Sequence, residues 1–493
     1  MDYRFAQELI ETLKGIERRL CDRSLTEIRE MGDSLVVALS PENLAERDIT
    51  SDYEIELLLE LQEIAKLLQN ADSPEIVRAA LHDMVADLEV RKRPIKIAFF
   101  THEFSLWPSY QTIWEACGPD VEKDLVLVYA WERPAQEKDV EDMIAPYREA
   151  GYSIRWMDEY DPAAESPDIV FYMKPYQGFR ACPGKYYINE VEKVTPYTVF
   201  VSYCLDVQGG EMLQEFFYGQ PFFYHVWRII GYSDYYRRKM IERGYRDAEN
   251  VVTLGHPKFD VAHDLAVKKS YVNPEWERKI RGRKVVLWNS HFTVEPGKGV
   301  GTYFRWKDTI FNYFRNHRNL VLLWRPHPLF WESVIKTPGV DPVEFKQFVC
   351  ELNQQDNVIV DQGGDYRYSF CMSDALISDA ATFLVEYSAS GNPVLYTIKE
   401  DGERVCNDDY LVGMQTAYSA EDITAFLDGV ENGSSAKGAG ERIAQFEKIF
   451  GTSDGTVGKQ ILEYVLQEVN ANICRRAERR LCALDMEDEH GME

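Results

Sequence analysis

Short apolar runs separated by helix-like stretches, repeated in two successive series, constrain this chain more than any other feature. The first series reads IKIAFF (95–100), LVLVYAW (125–131), DIVFYM (168–173) and YTVFVSY (197–203). The second reads KVVLWN (284–289), NLVLLWRP (319–326), NVIV (357–360), ALIS (375–378) and PVLY (393–396). A strand apolar at consecutive positions has to be covered on both faces. Helical stretches between the runs, such as 109–116 and 141–150, supply that cover. Each series therefore predicts a parallel sheet with helices on both sides. Two series predict two Rossmann-like α/β domains with a cleft between them, each offering loops from the carboxyl ends of its strands.

The segment before the first series is different. Leu9, Leu13, Ile16 and Leu20 recur at helical steps, residues 53–69 continue the pattern, and Ser73-Pro74-Glu75 has the cap, proline and acid of a helix start. Residues 1–92 are therefore read as an N-terminal helical module for packing or oligomerisation, ending at Arg91-Lys92-Arg93-Pro94. The first α/β domain is expected over 93–275 and the second over 276–455, with GHPKFD (255–260) as a linker. A terminal helix and a frayed acidic tail fill 456–493.

Charge and cysteine usage narrow the partners. The net charge is −27, from 55 Lys+Arg against 82 Asp+Glu. A chain with that field does not bind nucleic acid through general attraction, and an anionic ligand must be caught by a local pocket. The nine cysteines are dispersed with no C-x-x-C pair, which predicts free thiols and no zinc ribbon. The opening MDYRFAQELIETLKGIERRL mixes charges into its apolar positions, so no secretory leader is expected. The expected location is cytoplasmic, with peripheral contact at the inner membrane face left open.

Chemistry concentrates after the strands of the second series. Ser290-His291 follows the first run, Arg325-Pro326-His327 the second, Asp361 the third, and Ser378-Asp379 the fourth. In a parallel sheet these loops share one rim, where ligands of such sheets bind. Ala380, Ala381 and Thr382 then open a helix with small side chains that leave its amides uncovered, an arrangement that attracts anions. Two histidines, an arginine and such a helix start together suit a pyrophosphate. Read singly, each piece has a plain use as a turn, a cap or a surface histidine. In the first series, His102 follows the first run and Asp206 the fourth. Either could take a proton from an acceptor hydroxyl, although His102 could equally plug the domain interface. No Gly-x-Gly-x-x-Gly or Walker pattern occurs, and no cluster has metal-ligand spacing, so neither metal nor cofactor is expected.

In order, GHPKFD, KVVLWNSHF, LLWRPHP, NVIVD and SDALISDAATFLVEYSASGNPVLY resemble the CDP-glycerol glycerophosphotransferase family, of the teichoic-acid polymerase and primase type, over about residues 95–400. The resemblance implies a GT-B fold with the donor nucleotide in the C-terminal domain. It also implies transfer of glycerol phosphate or a related polyol phosphate from a CDP-activated donor to a hydroxyl of a polymer or lipid-linked acceptor. Arg325 and His327 match the family's R-x-H-P and would face the donor phosphates, His327 in a catalytic role. Ser378, Asp379 and Thr382 match the start of its Ser/Asp-rich helix, and Glu386 one turn on would reach ribose hydroxyls. His291 joins the donor-binding set. The chain departs from the family twice. Ala380-Ala381-Thr382-Phe383 replaces a second Asp-Tyr-Ser-Ser, and the family's W-H-G histidine has no match, Tyr203-Cys204-Leu205-Asp206 standing there instead. The expected base is therefore His102, then Asp206. The rival readings are a nucleotide-sugar glycosyltransferase or epimerase of similar architecture and a catalytically silent GT-B binding protein.

Overall fold

The computed structural model describes residues 1–21, 23–38, 52–129, 136–177, 182–205, 217–244, 249–268, 271–295, 299–399, 408–411, 413–451 and 454–485. By contacts, residues 1–97, 119–122 and 463–493 form one compact unit, and 98–118 with 123–462 form another.

The first unit is helical. Helices Tyr3–Arg19, Leu25–Ala38, Asp52–Gln69 and Pro74–Arg91 bury Leu9, Leu13, Ile16, Leu61, Ile64 and Leu81 in one apolar cluster. The helix starts follow their sequence signals. Asp2 accepts the amides of Arg4 and Phe5, and Ser73 accepts that of Ile76 ahead of Pro74. The last helix, Val457–Asp485, contributes Leu481 to the same cluster.

Among the described residues thirteen strands make two sheets. β1 (Ile95–Thr101), β2 (Val121–Leu127), β3 (Arg155–Trp156), β4 (Ile169–Tyr172), β5 (Thr198–Val201), β6 (Arg228–Gly231) and β7 (Val251–Thr253) lie in the order β3-β2-β1-β4-β5-β6-β7. β8 (Lys284–Asn289), β9 (Leu320–Trp324), β10 (Val358–Val360), β11 (Ala375–Ser378), β12 (Val394–Thr397) and β13 (Gln415–Ala417) lie in the order β10-β9-β8-β11-β12-β13. Neighbours pair in parallel, for example Trp288 with Trp324 and Ser378 with Asn289. Each sheet is the doubly wound arrangement, with a strand-order reversal between β1 and β4 and between β8 and β11. The second core stacks Trp288, Tyr303 and Trp324 beside Phe311 and Phe330.

Several sequence expectations are corrected. LVLVYAW was expected to be the strand, but β2 begins at Val121 and ends at Leu127. Its polar first half is carried by Lys123, which donates to the Trp114 carbonyl at 2.8 Å, and by Asp124, paired with Arg155 at 2.8 Å. β3, β7 and β13, at most three residues each, are edge strands too short for a periodic signal, and β6 was also missed. YTVFVSY is consequently the fifth strand of its sheet and not the fourth.

GHPKFD is no plain linker. Gly255, at φ +94°, turns the chain out of β7, and helix Pro257–Lys268 starts at once. His256, Lys258 and Asp260 are all buried there. No helix among the described residues is long and apolar enough to cross a membrane.

Candidate functional site

The loops after β8, β9 and β11 meet where the order of the second sheet reverses. Hydrogen bonds stitch them into one rim. The Ser378 hydroxyl donates to Asn289 Oδ1 (3.1 Å) and accepts the Ala380 amide (3.0 Å). Asn289 Nδ2 donates to the Arg325 carbonyl (2.9 Å), and the His327 amide to the Ser290 carbonyl (2.8 Å). His327 and Ser378 therefore share a site-sized neighbourhood. The helix expected after Ser378-Asp379 runs Ala381–Ser388, and its N-cap, Ala380, provides no side-chain cap. Thr382 in its first turn donates to the Leu205 carbonyl (3.0 Å), which joins this turn to the loop after β5.

Asp379 has turned away from that helix start. Its carboxylate accepts the amides of His291 (2.7 Å) and Thr302 (2.6 Å) and the Thr302 hydroxyl (2.9 Å). Burial pushes its carboxyl up to about 6, against the pull of these donors. Asp379 thus fixes the loop after β8 and leaves the anion position to the helix amides.

The two histidines of the rim are neutral near pH 7. His327 Nδ1 accepts the Leu329 amide (3.1 Å), so its proton sits on Nε2. His291 Nδ1 accepts the Thr293 amide (3.3 Å), with the same consequence. Burial lowers His327 to about 4, helped by Arg325 and opposed by Glu103, and lowers His291 to about 3, with His327 adding to the effect. The rings lie 5.8 Å apart with Phe292 beside both, 4.7 Å from His327. Each offers one N–H to a ligand without bringing a buried charge.

Arg325 and Glu386 are already engaged. Arg325 Nη1 lies 2.5 Å from Asp361 Oδ2, and that carboxylate also accepts Ser369 Oγ (2.5 Å) and the Gly363 amide (2.8 Å). The arginine is thereby held rigid and charge-compensated beneath the rim. Glu386 is fully buried, with Lys258 Nζ 3.3 Å from Oε2 and the Tyr366 hydroxyl donating to Oε1. Both of its oxygens are taken inside the protein, so the expected ribose contact would require Glu386 to exchange one of these partners.

In the first sheet, His102 leaves β1 and is almost fully buried. Glu103 Oε2 lies 2.5 Å from His102 Nδ1, off the direction of an aligned N–H bond, so the contact is electrostatic. A carboxylate against Nδ1 repels a lone pair there and favours the proton on that nitrogen. Asp206, with Gln208, Gly209 and Gly210, lies outside the described residues.

Sequence reasoning missed Glu103, Asn289, Thr302 and the polar residues of GHPKFD. His256 Nε2 donates to the Ser202 carbonyl (2.8 Å), while its Nδ1 accepts the Lys258 amide (3.2 Å). Lys258 reaches Glu386, and Asp260 accepts the amides of Val457 (2.9 Å) and Gly458 (2.7 Å). This motif is a hub tying the loop after β5, helix Ala381–Ser388 and the last helix together. Three polar residues at alternating positions around Pro257 were the available signal.

No protein-family model and no curated protein matches the chain. Solved structures do. A structure of the wall teichoic acid polymerase TagF, soaked with CDPG, is 13% identical with a TM-score of 0.51, covering 85% of this chain and 99% of that one. The MnaA–UDP structure from S. aureus is 12% identical at TM-score 0.51, covering 76% of this chain and 97% of that one. A UDP-N-acetylglucosamine 2-epimerase is 11% identical at TM-score 0.51, with 76% and 95% covered. The fold is GT-B. At such identities the likeness establishes architecture alone.

Proposed function

We propose that this GT-B chain is an enzyme that binds a nucleoside-diphosphate-activated donor at the rim of its second sheet and transfers the activated group to an acceptor hydroxyl. The observation that carries the reading is the convergence of two neutral Nε2–H donors, His291 and His327, with an uncapped helix start at the strand-order reversal. Such a site suits a diphosphate: main-chain amides and N–H groups meet its oxygens, and Arg325 lies behind them. The nucleotides named with structural neighbours, UDP and CDPG, agree with a donor of this class.

Within that class we favour a CDP-activated alcohol, the donor implied by the resemblance of the R-x-H-P and Ser-Asp segments. The acceptor oxygen attacks the phosphorus that carries the alcohol. The bond from that phosphorus to the bridging oxygen breaks, CMP leaves, and the acceptor proton passes to a base. The base we favour is His102, buried after β1 with the Glu103 carboxylate against its ring, and then Asp206. His327 Nε2–H steadies the charge gathering on the leaving phosphate. The second reading, a nucleotide-sugar glycosyltransferase or epimerase, is favoured by the equal TM-score of the epimerase structures.

Thermal shift with CDP, CDP-glycerol, UDP, UDP-N-acetylglucosamine and GDP-sugars separates the two. Stabilisation by cytidine nucleotides with release of CMP upholds the first. Stabilisation by uridine or guanosine nucleotides upholds the second, and no response to any nucleotide ends both.

A further inference from the structure

At the opposite end of the second sheet from the rim, three side chains far apart in sequence come together. His317 follows helix Tyr303–Asn316 and precedes β9, while Asp428 and Glu431 lie in the last turn of helix Ala420–Glu431. One ligating atom from each lies within 4.8 Å of the others. We propose that His317, Asp428 and Glu431 form a structural site for a first-row divalent cation of the zinc or manganese type.

Three observations support it. First, His317 Nδ1 lies 2.9 Å from the Tyr313 carbonyl, an atom that can only accept. Nδ1 therefore carries the proton, and Nε2 presents its lone pair. Stacking on Tyr313, with centroids 3.9 Å apart and planes 9° apart, holds the ring there. A metal-bound histidine is oriented in the same way by a carbonyl behind it.

Second, each carboxylate is steered by a neutral donor. Tyr313 donates to Asp428 Oδ1 (2.7 Å), and Asn319 Nδ2 to Glu431 Oε1 (2.8 Å). Among the described residues no hydrogen bond takes Asp428 Oδ2, and no ion pair reaches either acid.

Third, the local field is negative. Two carboxylates sit at the carboxyl end of a helix whose last turn has no basic residue, where they oppose the helix dipole, and a second helix ends at His317. The cations nearby are engaged elsewhere: Lys284 donates to the Val430 carbonyl at 3.0 Å, Arg315 to Asn312, and Arg318 to Asp356 and Asn357.

The donor set selects the ion. An imidazole nitrogen with two carboxylates suits zinc or manganese, whereas calcium and magnesium prefer oxygen alone. Asp428 is exposed and can swing in to close the coordination sphere. β9 separates this site from His327, so the ion fastens two helix ends and takes no part in group transfer. The inference does not depend on the proposed reaction.

Manganese is the better probe, because exposed Cys21, Cys350, Cys474 and Cys482 compete for zinc. The full chain, stripped with EDTA, is titrated with Mn²⁺ alone and followed by electron paramagnetic resonance of the free ion. We expect one site in the parent and binding weakened at least about tenfold in His317→Gln and in Glu431→Gln, with circular dichroism confirming that both fold. Asp428→Asn, at an exposed position, is the variant that keeps the test valid should either of the others misfold. Equal Mn²⁺ binding by parent and Asp428→Asn, or no binding by the parent at millimolar Mn²⁺, overturns the proposal.

Discussion

Each sheet carries a buried histidine shortly after a strand, His102 directly after β1 and His327 three residues past β9, and different atoms are packed against their Nδ1. His327 Nδ1 accepts a main-chain amide, which places its hydrogen on Nε2. His102 Nδ1 faces the Glu103 carboxylate, which draws the hydrogen to Nδ1. Under the proposed reading one ring donates to the ligand and the other receives the acceptor proton. The same residue type is thus directed to opposite work by the atom packed behind it, a main-chain N–H in one case and a carboxylate in the other.

The sharpest way to break the comparison is to remove each ring. His102→Ala should cost about 10²–10⁴ in turnover, the range for loss of a general base, with donor affinity unchanged by calorimetry. His327→Ala should cost about 10²–10³, the range for one oxyanion donor, and should weaken donor binding as well. Parent-like turnover in His102→Ala would dissolve the distinction, and the base would then be sought among residues outside those described, Asp206 first.

A smaller effect is expected from Glu103→Gln, which keeps size and removes the charge. Turnover should fall about ten- to a hundredfold while donor affinity holds, since the residue positions a proton without touching the donor. If donor affinity falls and turnover per bound donor does not, Glu103 serves His327 across the cleft and the two rings are not independent.

The smallest effect concerns stability. His327 falls from an ordinary 6.5 to about 4 on folding, so between those values the unfolded chain binds a proton that the native chain does not. Its stabilising contribution is present above pH 6.5 and is lost as pH falls towards 4. His291 and His256, lowered to about 3 by burial, act in the same sense. Asp379, raised to about 6, acts in the opposite sense and loses its contribution as pH rises through 6. His327→Gln should therefore flatten the urea-unfolding free energy below pH 6.5 by up to about 1.4 kcal/mol per pH unit. An unchanged slope would mean that the ring is charged in the native state and is no neutral donor.

Much of this was legible in the chain. Runs such as VVLW (285–288) and ALI (375–377) are apolar at every position because both faces are covered, and that pattern located the longer strands. A residue just past such a run must lie at the carboxyl end of the sheet, which is why His327, Ser378 and His102 could be named as rim residues. The two-residue β3 and the polar first half of β2 carry no such pattern, since edges and ion pairs sustain them. GHPKFD was misread for a related reason: its buried polar groups are satisfied by Ser202, Glu386 and Val457, far away in sequence.

The sequence by itself determined the doubly wound sheets and the residues on their rims, because both follow from local periodicity and from where a strand ends. Only the tertiary structure decided what those residues are bound to. Strand order, set by crossovers with no local signature, brings Asp361 against Arg325 and Lys258 against Glu386, turns Asp379 towards Thr302, and closes Asp428 on His317. Charge, tautomer and metal-ligating geometry depend on neighbours a few ångströms away in space, and spacing along the chain does not encode them.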